Sequence, residues 1–425
     1  MTLDGRRVLV GVCGGIAGYK ACEVVRLLKQ AGAAVQVVMT RNAQQFVAPL
    51  TFQTLSGSPV ATDTFDLGQE STIGHIRLAD TADVVLVAPV TANVLAKLAH
   101  GLADDLLTTI LLATRAPIVL APAMNVHMWE HAATQENVRT LVARGARLVG
   151  PAEGSLACGY EGAGRLAEPS EVVEAVVGAL VPQDLAGERV LVSAGPTQEA
   201  IDPVRYLTNH SSGKMGYAIA RVAHRRGAEV TLVSGPVALA DPPSVRVLRV
   251  TSAQEMARAL RNEFVRATVL VMAAAVADYR AAEPRARKLK KSTARLPLAL
   301  VRNADILAGL AASKGGRLVI GFAAETHDLV AEARRKLREK RLDLVVANDV
   351  TLPGAGFGSD TNVVRLLDAS GRDESLPTLP KDEVAGRILD WVVAQRAARP
   401  RAATRPRIAA RGAAPRSRRG PRPSA

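Results

Sequence analysis

RRVLVGVCGGIAGYK, residues 6–20, decides the reading of the fold. Its first part, RRVLVGV (6–12), is an apolar, valine-rich run of the kind found in strands buried on both faces. Glycines at 11, 14, 15 and 18 then allow a tight turn, and Tyr19–Gly32 has helical spacing at Cys22, Val25 and Leu28 and stops at a glycine. AAVQVVMT (33–40), ADVVLVAP (82–89) and APIVLAP (116–122) repeat the buried-strand pattern with helical stretches between them. That alternation predicts β-α-β units and a doubly wound sheet.

The pattern restarts after VPQDLAGER (181–189), a polar stretch containing proline and glycine. RVLVSAGPT (189–197) is again strand then glycine–proline turn. A helix over Met215–Arg226, strands at 228–235, 268–275, 317–325 and 342–349, a late strand with a turn in Asn362–Arg372 and a closing helix over Glu383–Gln395 follow. The expected organisation is a first domain over 1–181, a linker over 182–188, a second domain over 189–396 and a tail over 397–425.

Bulk composition agrees with a globular protein: 48% hydrophobic and 22% charged over 425 residues. No apolar run reaches the roughly 18–20 residues of a membrane helix. The three cysteines, Cys13, Cys22 and Cys158, have neither metal-site nor disulfide spacing, which points to a reducing cytoplasm. The net charge of +14 is misleading, because the stretch from Arg396 to Ala425 holds ten arginines and no acid. This tail has no hydrophobic period and is expected to be disordered; it offers contact with nucleic acid or other polyanions by counterion release, or is simply a tolerated extension.

Chemistry is expected on loops at strand ends, where open parallel sheets bind ligands. In the first half, APAMN (121–125) ends a strand in Asn125, ACGYEGAGR (157–165) puts the thiol of Cys158 in a glycine-rich loop, and STIGHIRLAD carries His75 just before a strand. A carboxamide, a thiol and an imidazole suit a small carboxylate substrate. The turn 10–20 does not fit the G-x-G-x-x-G dinucleotide pattern, and the next strand ends in Met39, Thr40, Arg41 with no acid, so a single-phosphate mononucleotide fits better. APVTAN (88–93) adds small hydroxyl and amide groups at another strand end.

In the second half, NHSSGKMG (209–216) is dense in hydrogen-bonding groups before a helix, an anion-binding arrangement. It is not a Walker A loop, since Thr208 replaces the first glycine and Met215 follows Lys214. AAAVADYR (273–280) ends a strand in Asp278, and RKLKKS (287–292) concentrates Arg287, Lys288, Lys290 and Lys291, either a solvated face or a triphosphate clamp. Lys336 and Lys340 are four apart and share one helix face.

GGIAGYK, GHIRLAD, PVTAN, APAMN and ACGYEGAGR together resemble the flavin-dependent cysteine decarboxylases. With NHSSGKMG, AAAVADYR and GFAAET (321–326), residues 6–395 resemble the bifunctional coenzyme A biosynthesis proteins, in which phosphopantothenoylcysteine decarboxylase is fused to phosphopantothenate–cysteine ligase. The resemblance implies an α/β chain of two doubly wound Rossmann-like domains, a flavodoxin-like flavoprotein domain then a ligase domain. It implies FMN as the electron sink, held by Gly14, Gly15, Ile16, Ala17, Thr40, Pro89, Thr91 and Asn93. His75 would act as base, Asn125 would hold the substrate carboxylate and Cys158 would donate the last proton. In the ligase half it implies that CTP with Mg2+ activates 4'-phosphopantothenate as an acyl-cytidylate, which cysteine attacks. Asn209 and Lys288 would be catalytic, and Ala273, Ala274, Asp278, Lys288, Ala304, Asp305, Ile306, Leu307, Phe322, Lys336 and Lys340 would contact CTP. A homo-oligomer without a membrane anchor is also implied. The family often has serine and alanine where Gly15 and Gly18 stand, arginine where Gln198 stands, and Lys-Asn-Pro-Asp where Arg302, Asn303, Ala304 and Asp305 stand.

Overall fold

The computed structural model describes residues 3–64, 74–155, 159–290, 296–325, 328–349, 356 and 358–398. Cys158, Lys291 and the tail from residue 399 lie outside the described residues.

The first half is built on a five-stranded parallel sheet of β1 (Arg7–Val12), β2 (Ala34–Met39), β3 (Val84–Val90), β4 (Ile118–Pro122) and β5 (Arg147–Leu148), in the order 2-1-3-4-5. This is the flavodoxin-like order. Every residue of β3 is buried, because apolar cores lie on both faces. Helix Gly18–Gln30 joins one core through Ala21, Val24, Val25 and Leu28, the three- and four-residue steps of one helix face. Burying each of the larger three is worth about 1.5–3 kcal/mol.

The second half carries an eight-stranded sheet: β6 (Arg189–Ala194), β7 (Glu229–Ser234), β8 (Arg246–Arg249), β9 (Val269–Met272), β10 (Leu318–Glu325), β11 (Leu344–Asp349), β12 (Val364–Asp368) and β13 (Asp373–Ser375). Their spatial order is 8-7-6-9-10-11-12-13, with six parallel strands followed by an antiparallel pair. Apolar cores again cover both faces, so both halves are doubly wound as expected. The antiparallel edge is the one departure. The chain turns back after Asp368, whose carboxylate accepts from the backbone N–H of Ser370 and Arg372 and from the indole of Trp391, so no crossover helix is needed.

One local expectation needs correction, and one segment is held more firmly than a linker need be. His75 lies in the first turn of a helix, Gly74–Thr81, and not on a loop, because Ala79 is buried and Leu78 and Ala82 pack against one core of the first half. Residues 182–188 are more than a tether. Leu185 is fully buried in the second half's core, and Asp184 makes a two-pronged ion pair with Arg226 at 2.7 and 2.8 Å.

The halves meet across helices Pro169–Ala179, Lys214–Arg225 and Lys381–Ala398. Arg225, 8% exposed, holds Glu174 with two bonds of 2.7 Å and Asp382 with one of 3.0 Å. Removing Arg225 takes away the two-bond partner of Glu174 while Asp382 keeps Arg221, so Arg225→Ala should cost about 1–3 kcal/mol, read from the urea midpoint. Burial alone would raise the pKa of Asp382, but Arg221 and Arg225 outweigh it and hold it below the usual carboxylate range. Its contribution is therefore complete above the unfolded pKa and fades as pH falls through the lower folded value. The gap between wild type and Arg225→Ala should narrow in strong acid.

Candidate active sites

The first site is a cavity of about 650 Å³ at the carboxyl ends of β1, β3 and β4. The turn Gly14–Ala17 lines one side, and Thr91, Met124, Asn125, Ser155, Gly164 and Arg165 line the others. Gly14 is sterically required, since a Cβ there would sit 2.4 Å from that of Asn42. No side chain caps helix Gly18–Gln30, and Ile16, Tyr19 and Lys20 around its start also line the cavity. Thr91 caps the next helix, its Oγ1 accepting from the Val94 N–H at 3.4 Å. Asn125 caps the short helix Val126–Glu130, its Oδ1 accepting from the His127 N–H at 2.9 Å.

A hairpin of Ala152–Ser155 and Glu161–Arg165 closes the cavity from outside. Gly162, with φ of +143°, presses against Val126; a Cβ there would come within 2.8 Å of its side chain. The hairpin is thereby fixed against the helix that Asn125 starts. Cys158 lies outside the described residues, but Ser155 and Gly164, which flank it in sequence, line the cavity. Of the other thiols, Cys13 is 1% exposed and burial pushes its pKa up to about 12, so it is out of reach as an acid. Lys20 and Arg165 also line the cavity, and both pair with Glu168, at 3.5 and 3.4 Å. Two cations sharing one carboxylate leave a net positive wall, suited to an anion.

The second site, of about 160 Å³, lies at the carboxyl ends of β9 and β10. It is lined by Ala274, Asp278, Arg302, Asn303, Ala304, Asp305, Ile306, Leu307, Phe322, Lys336 and Lys340, among others. Asn303, 9% exposed, braces one wall: its Nδ2 donates to the Ala277 carbonyl at 2.8 Å and its Oδ1 accepts from Arg280 at 2.9 Å. Lys336 donates to the Phe322 carbonyl, and Lys340 pairs with Asp305 at 2.7 Å. Asp305 also caps helix Ile306–Ala311 through the Ala308 N–H. Burial would raise its pKa, but that N–H and Lys340 outweigh it, so it sits below the usual carboxylate range. Asn209 Nδ2 donates to the carbonyl of Val276, itself a lining residue, at 3.0 Å. Thr197 Oγ1 accepts from the Ala277 N–H at 3.0 Å, so the turn after β6 and the loop after β9 form one wall.

The Flavoprotein family model matches residues 1–181, and that of the DNA/pantothenate metabolism flavoprotein C-terminal domain matches residues 185–395. The coenzyme A biosynthesis bifunctional protein CoaBC of Vibrio cholerae is 48% identical over 394 residues, covering 92% of this chain and 98% of that protein. Its namesake from Bacillus subtilis is 48% identical over 396 residues, with the same coverage. This chain belongs to the family of bifunctional coenzyme A biosynthesis proteins. A crystal structure of the C-terminal domain of a CoaBC protein is 43% identical, with a TM-score of 0.44 over 50% of this chain and 97% of that one.

Within this family member, most residues singled out from sequence converge on the two cavities. Gly14, Gly15, Ile16, Ala17, Thr91 and Asn125 line the first; Ala274, Asp278, Ala304, Asp305, Ile306, Leu307, Phe322, Lys336 and Lys340 line the second. Thr40, Pro89, Asn93 and His75 are not among the lining of the first, nor Ala273 and Lys288 among that of the second. Pro89 is buried inside β3, and Thr40 accepts from the Ala43 N–H at 3.3 Å. Lys288 sits on an exposed segment. Sequence reasoning missed Lys20, Met124 and Arg165, although each belongs to a motif already singled out. Asp305→Ala should cost about 0.5–2 kcal/mol through the lost cap. Faster amide exchange at Ala308 would report it; unchanged exchange there would contradict the capping role.

Proposed function

We propose that this chain performs two consecutive steps of coenzyme A biosynthesis. CTP activates the carboxylate of 4'-phosphopantothenate as an acyl-cytidylate with loss of pyrophosphate, and the amine of cysteine displaces CMP to give phosphopantothenoylcysteine. FMN-dependent loss of CO2 then gives 4'-phosphopantetheine. The observation that carries this reading is the pair of separate cavities at strand ends of two sheets, one walled by a glycine turn and Asn125, the other by paired lysines and aspartates. The proposed units are residues 1–181 and 189–396, joined by 182–188.

The first cavity fits a flavin mononucleotide on two grounds. The position at Gly14 admits no side chain, which keeps backbone at the surface, and Lys20 and Arg165 favour an anionic phosphate. A flavin held by the Gly14–Ala17 turn, Lys20 and Arg165 would supply a reversible two-electron acceptor, oxidising the substrate before loss of CO2 and reducing it afterwards with no net change of its own. Asn125 binds the substrate carboxylate as a neutral donor, which adds no cation to oppose departure of CO2. Cys158 supplies the final proton. His75 takes the role of base; because it does not line the cavity within one chain, a second copy that brings helix Gly74–Thr81 to it would complete the site in a homo-oligomer.

In the ligase half, Lys336, Lys340 and Asp278 hold CTP, Asn209 polarises the acyl group and Lys288 stabilises charge on the reacting phosphate. Among the described residues no three His, Cys, Asp or Glu side chains cluster as a metal site. Mg2+ would therefore be held mainly by the triphosphate oxygens, its usual mode in such sites. No helix among the described residues is long and apolar enough to cross a membrane, and we place the enzyme in the cytoplasm.

One assay tests the reading: purified chain with 4'-phosphopantothenate, cysteine and CTP, both products followed by mass and pyrophosphate release measured. Both products and a flavin spectrum are expected; no flavin after reconstitution and no CTP consumption would refute it. Gly14→Ala should cost about 1–3 kcal/mol of stability through the clash with Asn42, and lower the flavin content of the purified protein. Cys158→Ser should still release CO2 but accumulate the unreduced enethiol; a normal yield of 4'-phosphopantetheine would remove the thiol from the reaction.

A further inference from the structure

Turn 201–205 and basic segment 285–290 are eighty-odd residues apart in sequence, yet one carboxylate joins them. Asp202 lies beneath an exposed turn, but its own side chain is 0% exposed. It accepts from the N–H of Val204 at 2.8 Å and of Arg205 at 2.9 Å, the local bonds of an ordinary Asx turn. It also accepts from the N–H of Leu289 at 3.1 Å, which no turn requires. Arg205 pairs with Asp202 at 2.9 Å and donates to the carbonyl of Leu289, and the Arg285 N–H donates to the Ile201 carbonyl at 2.9 Å. The segment is thus tied at 285 and at 289, either side of Lys288. Residues 285–288 are exposed, so burial contributes little to holding them.

We propose that Asp202 is a positioning residue for the ligase reaction: its buried carboxylate pins the basic segment through Leu289 and fixes the position from which Lys288 acts. This rests on the role given to Lys288 above. A flexible lysine on an exposed loop reaches a reacting phosphate only part of the time; tying the backbone one residue on restricts where its ammonium can go. A misplacement of about 1 Å can cost roughly 10²-fold in rate.

The test uses the full chain and Asp202→Asn. The amide oxygen of asparagine can keep the two turn bonds, which turns its NH2 toward the Leu289 N–H and the Arg205 guanidinium, donor against donor, so the strap bond and the Arg205 ion pair on that same oxygen are lost together. The expected result is a fall of about 10–100-fold in kcat for CTP-dependent coupling with KM for CTP changed less than about threefold. Amide exchange at Leu289 should speed up, and decarboxylation of supplied phosphopantothenoylcysteine should be unchanged, showing that the chain is folded. Lys288→Gln and the double variant complete the cycle. If Asp202 acts through Lys288, the double variant is no slower than Lys288→Gln alone; losses that multiply would overturn the proposal. So would a wild-type kcat in Asp202→Asn with Leu289 exchange accelerated. A wild-type rate in Lys288→Gln removes the lysine's role itself and is read independently of Asp202. Should Asp202→Asn lose decarboxylation too, Leu289→Pro, which deletes the N–H and leaves Asp202 and its turn bonds in place, carries the same comparison.

Discussion

A parallel sheet buried on both faces leaves only its ends for chemistry. Residues of β3 are buried without exception, and β6 and β9 are buried almost throughout. No polar side chain can leave such strands sideways without entering a core, where an unpaired polar group costs several kcal/mol. Polar groups therefore collect where strands stop. Both cavities lie there, at the carboxyl ends: the glycine turn after β1 lines the first, and the loop after β9 lines the second. The crossover helices that cover the faces also set the spacing between those ends.

That constraint explains what was legible in the sequence. Strands such as VLVGV and VVLVAPV are apolar along their whole length because neither face meets water, and a period of two never enters. The helix Gly18–Gln30 shows its buried face in Ala21, Val24, Val25 and Leu28 for the converse reason. Glycine turns and the lysine pair on Lys336 and Lys340 were visible because spacing alone puts them on one loop or one helix face. Short elements held by distant partners were not. Strand Arg246–Arg249 is four residues long with two partly buried positions, and its register comes from β7 alone. His75 read as a loop residue because Gly74–Thr81 buries fully only Ala79, too little to mark a helix.

The site had the same limit. Motifs identify which residue types come together, but bonds across long separations decide how they are aimed. Asn303 is held by Ala277 and Arg280, Asp305 by Lys340, and Asn209 reaches the loop after β9; each link spans more than twenty residues. Asp202 carried no signal at all, because an aspartate before proline reads as turn chemistry and its third acceptor bond has no local trace.

Charge in the ligase cavity is arranged before any nucleotide enters. Lys340 is neutralised by Asp305, which a helix N-terminus already favours as an anion, and Lys336 is engaged by a backbone carbonyl. Cations held in place by fixed partners need not reorganise when triphosphate charge arrives, and that is where preorganised sites gain over water. In the proposed reading a triphosphate would compete for Lys340 with one carboxylate that also accepts from the Ala308 N–H. Asp305 is exposed, so it can lose the lysine and still be met by that N–H and by water. The same carboxylate thus shapes the cavity twice, by fixing Lys340 and by capping the helix that brings Ile306 and Leu307 to its wall, and in the proposed reading the cap would keep that wall in place if a nucleotide took over the lysine.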